Sequence, residues 1–232
     1  FQIDGLSRWD LLPYNIVTID EENIPCKSNW NNCNGHNGVV TIAHSTNHRI
    51  LKGTEFLIKA INELKSEGLK TELIIFENKS NKELISILYE KADILVDQLI
   101  LGYALSAIEG MAIGLPVISN LSDENVLSLF RRYSYLNECP IYSSTPEQIK
   151  EDIKLLVENP DLRKQLGIAG REYVEKYHSN KAAAYMFEKI YEKIYYKKDV
   201  DLINLFHPLN PNSYNNKSKI IKHPLKNNRL QN

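Results

Sequence analysis

From residue 39 onward, short apolar runs alternate with longer amphipathic segments. Residues 39–43 read VVTIA, a β-branched run of strand length that ends in the polar His44-Ser45-Thr46-Asn47. Leu57, Ala60, Ile61 and Leu64 then recur at helical spacing, predicting a helix over about residues 53–67 with Gly68 where a C-terminal cap belongs. Residues 73–76 form the next apolar run and end in Glu77-Asn78. Ser80 with Glu83 three positions on is a capping-box pattern, predicting a helix that ends near Lys91. Residues 94–96 end in Asp97-Gln98, a helix is expected from about 104 to 113, and Pro116-Val117-Ile118 end in Ser119-Asn120.

Four apolar runs alternating with helices are the pattern of a parallel sheet covered on both faces, an α/β fold. In such open sheets the ligand crevice lies beyond the carboxyl ends of the strands. The four polar strand endings should therefore line one rim, although polar residues at strand ends also simply terminate strands. Thr145-Pro146-Glu147-Gln148 reads as the start of a further helix, ending at Asn159-Pro160. Leu162, Leu166, Ala169, Tyr173 and Tyr177 mark the next helix. The last is expected over about 180–197, with Met186, Phe187, Ile190, Tyr191 and Ile194 as an apolar stripe that serves as core, as a contact for another domain, or as both.

The flanks look different. Residues 1–38 read as a linker with local structure, because 28–38 (SNWNNCNGHNG) is turn chemistry almost throughout. The compact domain is expected to span 39–198. Residues 199–232 form a basic Asn/Lys-rich tail, free of acidic residues after Asp201, and are expected to lack fixed structure. The lysines of that tail leave peripheral contact with an anionic membrane open.

Charge narrows the partners. Lys plus Arg is 28 against 29 for Asp plus Glu, so a whole-protein basic field for nucleic acid is excluded. Three cysteines in 232 residues are no disulfide scaffold and point to a reducing, cytoplasmic compartment. The apolar stretch 94–118 has the length of a membrane span, but Asp97, Gln98, Glu109 and Pro116 inside it favour strand, turn, helix and strand. No signal peptide opens the chain, which starts at Phe1, as a fragment or a processed chain would.

The P-loop, the G-x-G-x-x-G fingerprint, the G-x-S-x-G elbow and the H-E-x-x-H helix are all absent. Cys26, Cys33, His36, His44 and His48 match no common zinc spacing, so no metal is expected. Two segments carry more. Arg49 and Lys52 stand just before a helix, where cations and helix amides together form an anion site; alone they would be solvated loop cations. Gly102 precedes another helix start, so free N–H groups of residues 103–105 should face the same rim. Glu109 lies in an otherwise apolar helix and needs a donor there, which ribose hydroxyls would supply; reaching solvent or a Lys is the alternative.

Gly102 to Ile118 resembles the Glu-x-Met-Ala-x-Gly-x-Pro-Val signature of the glycosyltransferase group 1 family, whose members have the GT-B fold. The Arg49 and Lys52-Gly53 segment resembles that family's phosphate-binding loop, and Asn159-Pro160 and Arg171-Glu172 its C-terminal helices. The likeness covers residues 39–197, the Rossmann-like donor-binding half. It implies that Arg49, Lys52 and the backbone of Gly102, Tyr103, Ala104 and Leu105 hold the diphosphate of a UDP- or GDP-linked sugar, and that Glu109 holds the ribose. It further implies transfer to a sugar, lipid-linked or polysaccharide acceptor by a retaining, metal-independent hexosyltransferase without a cofactor, in surface polysaccharide or glycolipid synthesis. An N-terminal GT-B domain would complete it, and the setting would be cytoplasmic with peripheral contact at the inner face of the membrane. One position departs: the family's second glutamate, eight residues earlier, is Leu101 here, with Asp97 and Gln98 as substitutes for the donor-sugar contact. A GT-B sugar-nucleotide epimerase and a non-catalytic nucleotide-binding or scaffolding module are the competing readings.

Overall fold

The structure, a computed structural model, describes residues 19–27, 38–100, 102–123, 127, 134–202, 204–207, 210, 213 and 219–225. Its strands are β1 (Val40–Ser45), β2 (Thr71–Phe76), β3 (Ile94–Val96), β4 (Val117–Ser119) and β5 (Tyr142–Ser143). They form one sheet in the order β2-β1-β3-β4-β5, and all of its neighbours run parallel. The four predicted strands are present. The short β5 is an addition, two residues with no run long enough to show a period.

Side chains alternate across the sheet, and the alternation sorts the helices. Val40, Ile42, Ile94, Val96 and Ile118 face one core, closed by α2 (Thr54–Ser66) through Leu57, Ile61 and Leu64 and by α5 (Ile149–Glu158) through Ile153 and Leu156. Ala43, Leu95 and Val117 face the other. There α3 (Asn81–Lys91), α4 (Leu105–Ile113), α6 (Pro160–Tyr177) and α7 (Asn180–Ile194) pack. This is a Rossmann-like α/β sheet with helices on both faces and further helices after it. Helix α4 seats closely: a Cβ at Gly110 would run into Leu95 Cδ2 and lie 3.1 Å from Val117 Cγ2.

The Ser80–Glu83 capping box forms as predicted at the start of α3. Elsewhere the boundaries differ. Residues 146–148 form a turn closed by Gln148 N–H donating to Thr145 O at 3.0 Å, so regular helix begins at Ile149 rather than at the proline. The polar segment after β1 contains a helical turn, α1 (Arg49–Lys52), which Gly53 terminates in the left-handed region at φ +72°. A Cβ on Gly53 would also sit 2.9 Å from Leu99 Cβ, so two requirements meet at one glycine.

The flanking segments are more engaged than composition suggested. Arg171 on α6 donates to Glu21 O and to Ala112 O, both at 2.9 Å, and Lys27 N–H donates to Ile113 O at 2.8 Å. Residues 19–27 are thereby stitched to the ends of α4 and α6. In the tail, expected to lack fixed structure, Leu205, Phe206 and Ile221 are buried in the larger core. Phe206 makes edge contacts with Tyr177 and Tyr185. An average over a polar tail hides three apolar residues that are buried in the core.

Gly53→Ala should lower stability by about 2–4 kcal/mol, the left-handed backbone and the Leu99 contact both counting. Urea denaturation followed by circular dichroism measures the loss.

Candidate functional site

The strand order reverses between β1 and β3, because the chain leaves β1 outward to β2 and returns across it to β3. The helices that follow these two strands lie on opposite faces, the arrangement that in open α/β sheets places the ligand crevice at the strands' carboxyl ends. Arg49, Lys52, Asp97 and the start of α4 all belong to that rim.

Asp97 follows β3 directly, and its amide continues the ladder by donating to Ile118 O at 2.9 Å. Its side chain is fully buried. Oδ1 accepts from Lys52 Nζ at 2.7 Å and from the Ser106 hydroxyl at 2.6 Å, and Oδ2 accepts from Ala104 N–H at 2.7 Å. Lys52 Nζ also donates to Ser106 Oγ at 3.1 Å. An ammonium has three N–H donors, so one remains for a ligand. The expectation of free amides at 103–105 needs correcting at Ala104, whose N–H the Asp97 carboxylate takes. Leu105 and Ser106, in the first turn of α4, have no amide partner among the described residues.

His44 braces the neighbouring strand end. Its Nδ1–H donates to Val96 O at 2.8 Å, so Nε2 accepts from the Thr54 hydroxyl at 2.9 Å. Burial, against the Val96 hydrogen bond, holds its pKa below the usual histidine value, with the Lys52 charge adding to the effect. His44 is thus committed to the fold. Thr46, on the same rim, has a buried hydroxyl without a partner among the described residues.

Arg49 lies on the outer side of α1. Its guanidinium donates to Glu55 at 2.7 and 2.9 Å and to Glu77 at 2.9 Å. Arg49 and Lys52 share one helical turn yet point to different carboxylates. Gln98 is half-buried, and its carbonyl accepts from Asn120 N–H at 2.8 Å and from the Ser119 hydroxyl at 3.0 Å. Gly102, at φ +50°, pairs with Asn120 and accepts from the same hydroxyl. The Tyr103 ring is buried in the larger core with its hydroxyl 3.2 Å from His178 Nε2, so only its backbone can serve the rim. Leu101, with Cys33 and His36, lies outside the described residues. Among the described residues no three His, Cys, Asp or Glu side chains gather as metal ligands.

Glu109 is buried on α4 and accepts from Asn81 Nδ2 at the start of α3. Burial, reinforced by the Asp97 charge and opposed by Asn81 and Lys52, pushes its pKa up to about 6. Asn81 and Ser106 are the site residues that sequence reasoning missed. The signal for Asn81 was available: the Ser80 cap sets it at the first helical position beyond β2, on the same rim.

The family model for glycosyl transferases group 1 matches residues 50–173, more than half of the chain. This chain belongs to the glycosyl transferases group 1 family. The match contains Lys52, Asp97 and Glu109, and it begins one residue after Arg49. Among solved structures the group 1 chain is similar to a sucrose-phosphate synthase from Thermosynechococcus elongatus, at 15% identity and a TM-score of 0.57. That match covers 78% of this chain and 52% of the synthase. It is also similar to a glycosyltransferase from Rickettsia africae ESF-5, at 19% identity and a TM-score of 0.52, covering 75% of this chain and 54% of that one. At these identities the likeness establishes the shared fold, and the chain spans about half the length of either structure. No curated protein matches the chain.

The buried Glu109 yields a stability prediction with a definite sign. A carboxyl group whose pKa rises on folding contributes most below its unfolded value of 4.5 and loses that contribution as pH climbs through about 6. Glu109→Gln should therefore raise stability at pH 7.5 by at most about 2 kcal/mol, and by almost nothing at pH 4. Thermal melts of the two proteins across that pH range check it.

Proposed function

We propose that this chain is the donor-binding domain of a glycosyltransferase, and that the rim beyond β1 and β3 takes the diphosphate and ribose of a UDP- or GDP-linked sugar. The observation that carries the reading is the joint placement of Lys52 and the first turn of α4, with Glu109 farther along the same helix. Lys52 keeps one N–H in reserve, and Leu105 and Ser106 present amides at the positive end of the helix. The Glu109 carboxylate, which accepts from Asn81 through one oxygen, keeps lone pairs with which to accept ribose hydroxyls. Arg49, now held by Glu55 and Glu77, can turn to the outer phosphate when a diphosphate competes for it.

The chemistry follows from where charge develops. As the bond between the sugar's anomeric carbon and the diphosphate breaks, the electron pair moves onto a phosphate oxygen. Lys52 and the α4 amides then stabilise charge that is larger in the transition state than in the substrate. Such stabilisation works without a metal and suits a retaining transfer of a hexosyl group. The acceptor, a sugar, lipid-linked sugar or polysaccharide, is bound with the help of an N-terminal domain, in the cytoplasm or against the inner face of a membrane. No helix among the described residues is long and apolar enough to cross a membrane. An epimerase would need an acid and a base on the sugar ring. The Asp97 carboxylate, the candidate for that work, has both oxygens occupied.

Calorimetric titration with UDP and GDP tests the reading. One of the two should bind, and Arg49→Ala and Glu109→Ala should each weaken it by about 1.5–3 kcal/mol, a loss of roughly ten- to a hundredfold. Binding of neither nucleotide, or binding indifferent to both substitutions, contradicts the proposal.

A further inference from the structure

We infer that Asp97 is a positioning residue, holding Lys52 and the first turn of α4 as one rigid anion-binding unit rather than contacting the donor sugar; the inference rests on the donor-site reading above. Three groups of this chain occupy its two oxygens, all within 2.7 Å: Lys52 Nζ, the Ser106 hydroxyl and the Ala104 amide. The side chain has no exposed surface. A carboxylate engaged in this way has no face to offer a sugar hydroxyl unless one of those bonds breaks.

What it does offer is order. Lys52 leaves the β1 side of the crevice and α4 leaves the β3 side, and Asp97 ties them together across the strand-order reversal. A lysine side chain is long and mobile, and a helix start after a glycine-containing loop can shift. Fixing both before the ligand arrives removes an ordering cost from binding. Ser106 completes the clamp, since its oxygen accepts from Lys52 while its proton goes to Asp97. Electrostatics works the other way, because a carboxylate beside the lysine opposes an incoming diphosphate. The two effects predict opposite outcomes for the same substitution, so experiment separates them. If preorganisation dominates, removing the Asp97 charge weakens diphosphate binding; if Asp97 is only an opposing charge, removal tightens it.

The test titrates the 232-residue chain with UDP, GDP and the corresponding nucleosides, using wild type, Asp97→Asn, Ser106→Ala, Lys52→Met and the Asp97→Asn/Lys52→Met double variant. The expected result is a loss of about tenfold or more in nucleoside diphosphate affinity for Asp97→Asn, with nucleoside affinity changed less than about twofold. The double variant should lose clearly less than the product of the two single losses, because part of the Asp97 effect runs through that lysine and only the rest through the α4 amides. Ser106→Ala, which removes a smaller group, should give a loss of about threefold and supplies the same readout if Asp97→Asn does not fold. Unchanged or tighter diphosphate binding by Asp97→Asn overturns the inference, as do equal losses for nucleoside and diphosphate or losses that multiply in the double variant. Wild type that binds neither nucleotide overturns the donor-site reading itself, a result distinct from any of these.

Discussion

A carboxylate removed from water must be satisfied by groups that are equally fixed, and at Asp97 that requirement organises the whole rim. Its partners come from α1, from the loop before α4 and from α4 itself, so one buried side chain sets the relative position of three elements. A buried ion pair of this kind adds little to stability compared with an apolar replacement, whereas removing one partner alone typically costs about 3–5 kcal/mol. Its value lies in geometry, which fits the proposed site, where a cation and helix amides would meet one anion.

Helix α4 carries the second constraint. Every residue from Ser106 to Ile113 is buried, and Gly110 lets the helix backbone lie against Leu95 and Val117. A glutamate within such a helix is costly, and the Asn81 amide offsets part of that cost. His44 stabilises the same crevice from β1 by a pair of hydrogen bonds, to Val96 and to Thr54. The crevice is thus assembled from buried polar groups whose partners lie from 7 to 52 residues away in the chain, in other elements.

That separation explains what could be read from the sequence. The four main strands, the α3 capping box and the apolar stripe of α2 are local patterns, and they appear where the periodicity put them. Lys52, Asp97 and Gly102 were legible as candidates because they punctuate those patterns at the sheet's carboxyl edge, and Glu109 because it interrupts an apolar helix. What stayed hidden was pairing. No local signal says that Asp97 takes the Ala104 amide, that Asn81 meets Glu109 across 28 residues, or that Arg49 turns to Glu55 and Glu77. The docking of Leu205, Phe206 and Ile221 was hidden by composition, since a few apolar residues in a polar tail join a core that only the fold assembles.

The most direct test of the central claim is a crystal structure of the chain with the nucleoside diphosphate it binds. The account predicts phosphate oxygens within hydrogen-bond reach of Lys52 Nζ and of the Leu105 and Ser106 amides, with Lys52 still bonded to Asp97. Phosphates bound away from the start of α4, or a Lys52 that leaves Asp97 to reach them, would contradict it.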